Sequence, residues 1–208
     1  MIMLSEDTIY WLLFAIPSIL IASTIHEYSH GLMAYKLGDP TAKAEGRLTL
    51  NPLAHIDPLG ALSMIIFRFG WSKPVPINEY NFSKREFGTA LVAFAGPLSN
   101  LLMALLCGLV NLIFRPDLGT ALGSLLLTFT LINLSLAFFN LLPVPPLDGH
   151  KIVRAILPKK LRYYWEELEK FRIILLVILI IPLTSSGSLA SIYISTAITK
   201  SLDLLGFL

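Results

Sequence analysis

Residues 9–31 read IYWLLFAIPSILIASTIHEYSHG, an apolar run of 17 residues that ends on three ionisable side chains in five positions, His26, Glu27 and His30. Ionisable groups at membrane depth are costly enough to mark a functional site by default. Whether this run meets lipid is decided by composition. The 208 residues are 55% hydrophobic and 14% charged, with mean hydropathy +0.71, against roughly 25% charged in a soluble domain. The chain reads as a membrane protein, and the run as its first span. It lacks a basic n-region and a small-residue cleavage site, so it is expected to be retained. The single cysteine, Cys107, lies in another apolar run and reads as a small buried hydrophobe, which excludes an intrachain disulfide framework.

Working outward, the first helix is predicted from about Thr8 to Leu37, kinked at Pro17 and stopped by Gly38-Asp39-Pro40. Two further spans are predicted at about Thr89 to Phe114 and Ala121 to Leu142, joined by the turn RPDLGT. Between the first two core helices lie turn-rich segments with short strand-like runs, around LGALSMIIF at residues 59–67, which is too short to cross. The expected fold class is an all-α polytopic membrane protein, a helical transmembrane core with a small β or re-entrant region at that point. One domain is expected over 1–208, with a catalytic core at about 8–158 and a C-terminal helical hairpin at about 160–208, turning at TSSGS.

Charge orients these spans. Seven of the 16 Lys and Arg fall in residues 36–86 and seven in 143–172, leaving Arg115 and Lys200. Both rich segments then lie on one side, and the positive-inside rule makes that side cytoplasmic, with HEYSH at the nearer end of its helix. The net charge of +2 is thereby explained by orientation and gives no indication of nucleic acid as a partner.

His26 and His30, four apart on a helix, point about 40° from one another, so both imidazoles can hold one ion, with Glu27 beside that face. This is the H-E-x-x-H arrangement in which two His bind zinc and the Glu deprotonates water. A shuffled chain of this composition would contain it roughly 0.003 times. A catalytic zinc takes a third protein ligand. Asp148 stands out, in NLLPVPPLDGHKI, where Pro143, Pro145 and Pro146 forbid a regular helix and Gly149 permits close approach. Its alternative is to cap the helix that follows. His55 reads as a turn-stabilising or solvated residue, and His150 as a surface residue.

The strings TIHEYSHGLMAYKLGDPTAKAEGRLTLNPLAHIDPLG, AGPLSN and NLLPVPPLDG together resemble the site-two protease family of intramembrane zinc metalloproteases, over about residues 8–158. The resemblance is to the short branch without a PDZ-like insertion or nucleotide-binding appendage. It implies one Zn2+ per chain held by His26, His30 and Asp148, Glu27 as catalytic base, and Asn140 helping to hold the scissile segment or the oxyanion. Gly96, Pro97 and Asn100 match what reads as a helix-start motif. The implied activity is hydrolysis of peptide bonds within or near transmembrane segments of membrane-protein substrates. The implied location is a multi-pass position in the lipid bilayer of a prokaryotic cell membrane. A substrate helix must unwind to expose its carbonyls, and extended segments at 41–51 and 70–80 are expected to receive it by strand pairing. A metal or proton transporter built on the same buried cluster is the alternative.

Overall fold

The computed structural model describes residues 6–67, 70–182 and 187–208, which are helical for most of their length. α1 (Glu6–Lys36) carries the opening run and contains Pro17. It stops where Gly38 takes φ +102° and the Asp39 N–H returns to the Ala34 carbonyl at 2.9 Å, a left-handed turn that glycine makes at low cost. α2 (Thr41–Ala44), a 3-10 turn (Pro52–Ala54), α3 (Pro58–Phe67) and a second 3-10 turn (Glu79–Asn81) lead to the long α4 (Arg85–Phe114). Then come α5 (Ala121–Asn140), α6 (Asp148–Ile156), α7 (Lys159–Glu167), α8 (Arg172–Ile180) and α9 (Leu189–Leu204).

Among the described residues three helices are long and apolar enough to cross a membrane, over Leu12–Lys36, Arg85–Phe114 and Ala121–Asn140. Each packs on the other two. The inner face of α4 is built from Gly88, Ala93, Gly96, Asn100, Ala104 and Gly108, while Leu102, Leu106, Leu109 and Ile113 are exposed. That distribution suits lipid. Leucine gains nothing by leaving a hydrocarbon solvent, whereas small residues let helix backbones approach and polar ones bond across the contact.

Three expectations change here. Only one antiparallel bridge, Ile56 with Ser72, marks the region between the first two core helices, and the described residues contain no named strand. Residues 41–51 are not extended, because α2 and the turns after it coil that stretch against α1. AGPLSN lies mid-way along α4, so it does not start a helix. Pro97 is tolerated inside because neighbouring helices cover it.

α6 lies along α4, α9 packs on α5, and α8 packs on α9. α8 and α9 have nine and 16 residues, each short of the ~20 a helix needs to cross the hydrocarbon core. Most of the turn expected at 184–188 lies outside the described residues. The two Lys- and Arg-rich segments touch. Arg154 Nη2 donates to Glu79 Oε2 at 2.8 Å, and Arg162 Nη1 lies 3.0 Å from Glu86 Oε1. Both segments therefore sit at one end of the bundle.

At that end Asp39 is buried and ties the exit of α1 to the second 3-10 turn. Its carboxylate accepts from Thr41 N at 3.1 Å, Asn78 N at 2.7 Å and Asn81 Nδ2 at 2.7 Å. Burial pushes this carboxyl up, but the hydrogen bonds from Thr41, Asn78 and Asn81 outweigh it and hold it below the ordinary carboxylate range. A depressed folded-state pKa stabilises the protein above the unfolded value near ~4, and that stability is lost as pH falls through the folded value. Asp39→Ala is expected to cost roughly 2–3 kcal/mol at neutral pH, read as a lower Tm in detergent. The gap to the wild type should narrow on acidification below ~pH 4.

Candidate metal centre

The helical spacing of HEYSH places both imidazoles on the side of α1 that meets α4. His26, Glu27 and His30 are all buried. His26 Nδ1 bonds to Asn100 Oδ1 at 2.6 Å, and His30 Nδ1 to the Val92 carbonyl at 2.7 Å. Both partners are acceptors only at those atoms, so each Nδ1 carries the proton and donates it. Each Nε2 then keeps a free lone pair, the form a metal requires. Asn100 is itself held, its Nδ2 donating to the Ala22 carbonyl at 3.2 Å and to Asn133 Oδ1 at 2.9 Å. Asn133 Nδ2 in turn donates to the Phe129 carbonyl at 2.8 Å.

The third donor comes from α6. The segment 141–147 turns repeatedly through its three prolines, Leu147 is extended at the helix cap, and Asp148 is the first helical residue. Gly149 lets this turn close, since a Cβ there would lie 2.3 Å from the Leu141 carbonyl oxygen and 2.4 Å from that of Leu142. The Asp148 side chain does not cap its helix. Instead Oδ2 lies 3.3 Å from His26 Nε2 and 3.2 Å from His30 Nε2.

These three donors fit zinc. A tetrahedral zinc with bonds of 2.0–2.1 Å separates its ligand atoms by about 3.3 Å, matching both gaps to Asp148, and all three donor atoms lie within 4.8 Å of one another. Two neutral imidazoles and one carboxylate form a donor set of the kind that leaves a position open for catalysis.

Glu27 is held by a different part of the chain. Its Oε1 accepts from Ser72 Oγ at 2.7 Å and its Oε2 from the Val75 N–H at 2.9 Å. Residues 70–78 thus run as a strap across α1, pinned by Lys73 N to the His55 carbonyl at 2.8 Å. Asn140, at the end of α5, donates Nδ2 to the Leu136 carbonyl of its own helix at 3.0 Å and lies outside the donor cluster.

His55 is buried with Nε2 2.8 Å from the Thr49 carbonyl, so it stabilises a turn and is not solvated. The surface reading of His150 is overturned. It is buried and stacks on Trp165 at 5.1 Å between ring centroids, and Trp165 Nε1 donates to the His150 carbonyl at 3.0 Å. α7 folds back over α6 and covers it.

Asn100, Asn133, Ser72 and Gly96 contact or make room for the candidate site, a place the sequence reading did not assign them. A Cβ at Gly96 would lie 2.4 Å from His30 Nε2 and 2.7 Å from His26 Cε1, so this glycine makes the space the imidazoles occupy. An asparagine mid-span, four residues from that glycine, was a detectable signal for Asn100. Nothing local pointed to Ser72.

Comparison with known proteins gives a consistent picture. The model of Peptidase family M50 matches residues 108–183. Two proteins named "Putative zinc metalloprotease" are similar to the chain. YwhC of Bacillus subtilis is 38% identical over 181 residues, 83% of this chain and 82% of its own length. MJ0611 of Methanocaldococcus jannaschii is 33% identical over 149 residues, 69% of this chain and 71% of its own length. From the same archaeon, zinc metalloprotease MJ0392 is 30% identical over 158 residues, 76% of this chain and 38% of its own length. No solved structure gives a significant match.

Gly96→Ala should displace the imidazoles and abolish stoichiometric zinc in the purified protein, measured by metal analysis. Asn100→Ala removes the partner of His26 Nδ1 and should weaken zinc binding about 10–100-fold, measured by chelator competition.

Proposed function

Because the chain belongs to peptidase family M50, the site-two protease family, and is a zinc metalloprotease, we propose that it cuts peptide bonds within or near the membrane-spanning segments of other membrane proteins. In this reading His26, His30 and Asp148 hold one zinc ion and Glu27 is the general base. One observation carries it: the donor atoms are buried inside a bundle of helices apolar enough to cross a membrane. A hydrolytic centre in that place meets its substrate at membrane depth.

Zinc, when bound, polarises the scissile carbonyl and brings the pKa of water towards ~7. Glu27 takes the water proton on a carboxylate aligned by Ser72 and Val75, and returns it to the leaving amine. Asn140 would help hold the substrate segment, which requires its amide to leave the Leu136 carbonyl. Residues 70–78, the part of the 70–80 segment that precedes the 3-10 turn, would receive the unwound substrate. Metal or proton carriage has no support in the family match or in the donor geometry.

The chain would work as one membrane-embedded unit over 1–208, its catalytic core at about 8–158 and its hairpin at about 160–208. The active site would lie nearer the cytoplasmic side of a prokaryotic cell membrane. The mutual contact of the two basic segments supports this, since it requires them on one side.

Two measurements test these statements. Cysteines introduced at positions 73 and 159 should be labelled from the cytoplasm and one at 117 from outside; 73 and 159 on opposite sides would overturn the topology. Glu27→Gln cannot accept a proton, so it should keep zinc yet lose cleavage of a membrane-embedded reporter by at least ~100-fold. His26→Ala, His30→Ala and Asp148→Ala each delete a donor and should lose zinc and cleavage together. Normal cleavage by Glu27→Gln would end the hydrolase reading.

A further inference from the structure

The two halves of the donor set are held in different ways. His26 and His30 are each hydrogen-bonded to α4. Among the described residues Asp148 has no such partner on α4; its carboxylate faces the two imidazoles and the half-exposed Lys151, 3.8 Å away. Where its carboxylate stands depends on where α6 stands. α6 is nine residues long and enters from a proline-rich turn, so its far end needs an anchor of its own.

Arg154 supplies one. It lies in the last turn of α6, 9% exposed, and Nη2 donates to Glu79 Oε2 at 2.8 Å. Its Nε faces Glu86 Oε2 at 3.6 Å without a hydrogen bond, so Glu79 is the main partner. Arg162 ties off the same helix end, donating Nε to the Arg154 carbonyl and Nη2 to that of Leu157, both at 3.1 Å.

Glu79 is anchored in turn. It sits in the 3-10 turn between Asn78 and Asn81, and both neighbours donate to the buried Asp39 at 2.7 Å. Asp39 directly follows the turn that ends α1. A continuous polar strut therefore runs from α1 through Asp39, the 78–81 turn and Glu79 to Arg154 and α6. One end belongs to the helix bearing His26 and His30, the other to the helix bearing Asp148.

Resting on the reading of Asp148 as a metal ligand, we propose that Glu79 and Arg154 are positioning residues for the zinc site, holding α6 so that the Asp148 carboxylate stays in register with the two imidazoles. A rigid helix pinned at its last turn transmits that constraint to its first residue. Losing one member of a largely desolvated ion pair frees the anchor and leaves the other charge poorly compensated.

The test uses the full chain purified in detergent, with zinc affinity measured by chelator competition and thermal unfolding measured on the zinc-free protein. Glu79→Gln and Arg154→Gln should each weaken zinc binding about tenfold. The double variant should bind no more weakly than the weaker single one, because both remove the same contact. Asn111→Ala is the control: it removes hydrogen bonds to the Leu205 and Gly206 carbonyls at the other end of the bundle, so it should lower Tm and leave zinc affinity unchanged. A purely structural role predicts that Glu79→Gln behaves like this control, and that result, or losses that multiply in the double variant, would overturn the proposal. Should Arg154→Gln fail to fold, the more exposed Glu79→Gln decides alone. Asp148→Ala separates the two levels. If it keeps zinc, the ligand assignment fails; if it loses zinc while Glu79→Gln keeps it, only the strut is refuted.

Discussion

The hydrogen bonds that His26 and His30 make through Nδ1 govern everything around the centre. A buried imidazole has one proton to give, and giving it to Asn100 or to the Val92 carbonyl leaves Nε2 as a bare lone pair. Both acceptors lie on α4, so α1 must pack against that helix closely and in one register. Gly96 makes the contact possible by leaving open the volume that the two rings fill. The polar chain continues through Asn133 to α5, so the three long helices are bonded together at the level of the site.

Lipid makes this arrangement economical. Apolar side chains gain nothing by moving from hydrocarbon into the bundle, so association depends on close packing and on polar groups that have no other partner. The inner face of α4 follows that logic along its length, with glycine and alanine between Asn100 and Asn111. Asn100 and Asn133, which hold His26 in place, also bond the three long helices together.

At one end of the bundle the work is done by charge. Asp39, Glu79, Glu86, Arg154 and Arg162 join segments far apart in sequence at one end of the bundle. The strap at 70–78 belongs to the same layer and reaches inward to orient Glu27 through Ser72 and Val75. Arg154 and Arg162, which belong to one of the two Lys- and Arg-rich segments, also join α6 and α7 to the 79–86 region.

The sequence alone determined what local periodicity and composition can carry. Hydropathy marked three long helices to within a few residues, because a helix in lipid must be apolar over ~20 positions. The spacing of His26 and His30 placed two donors on one face, because every helix imposes 3.6 residues per turn. The prolines before Asp148 exposed a broken segment that ends in a carboxylate. Tertiary structure alone decided which groups meet. Ser72 reaches Glu27 across 45 positions and Asn100 reaches His26 across 74, and no local pattern encodes a partner so distant. AGPLSN matched a family motif read as a helix start, yet it lies inside α4, where neighbouring helices sustain its Gly and Pro. His150 read as surface because α6 taken by itself has no cover, and only the return of α7 supplies it. In each case the deciding energy lies in contact between elements, which periodicity along one element does not contain.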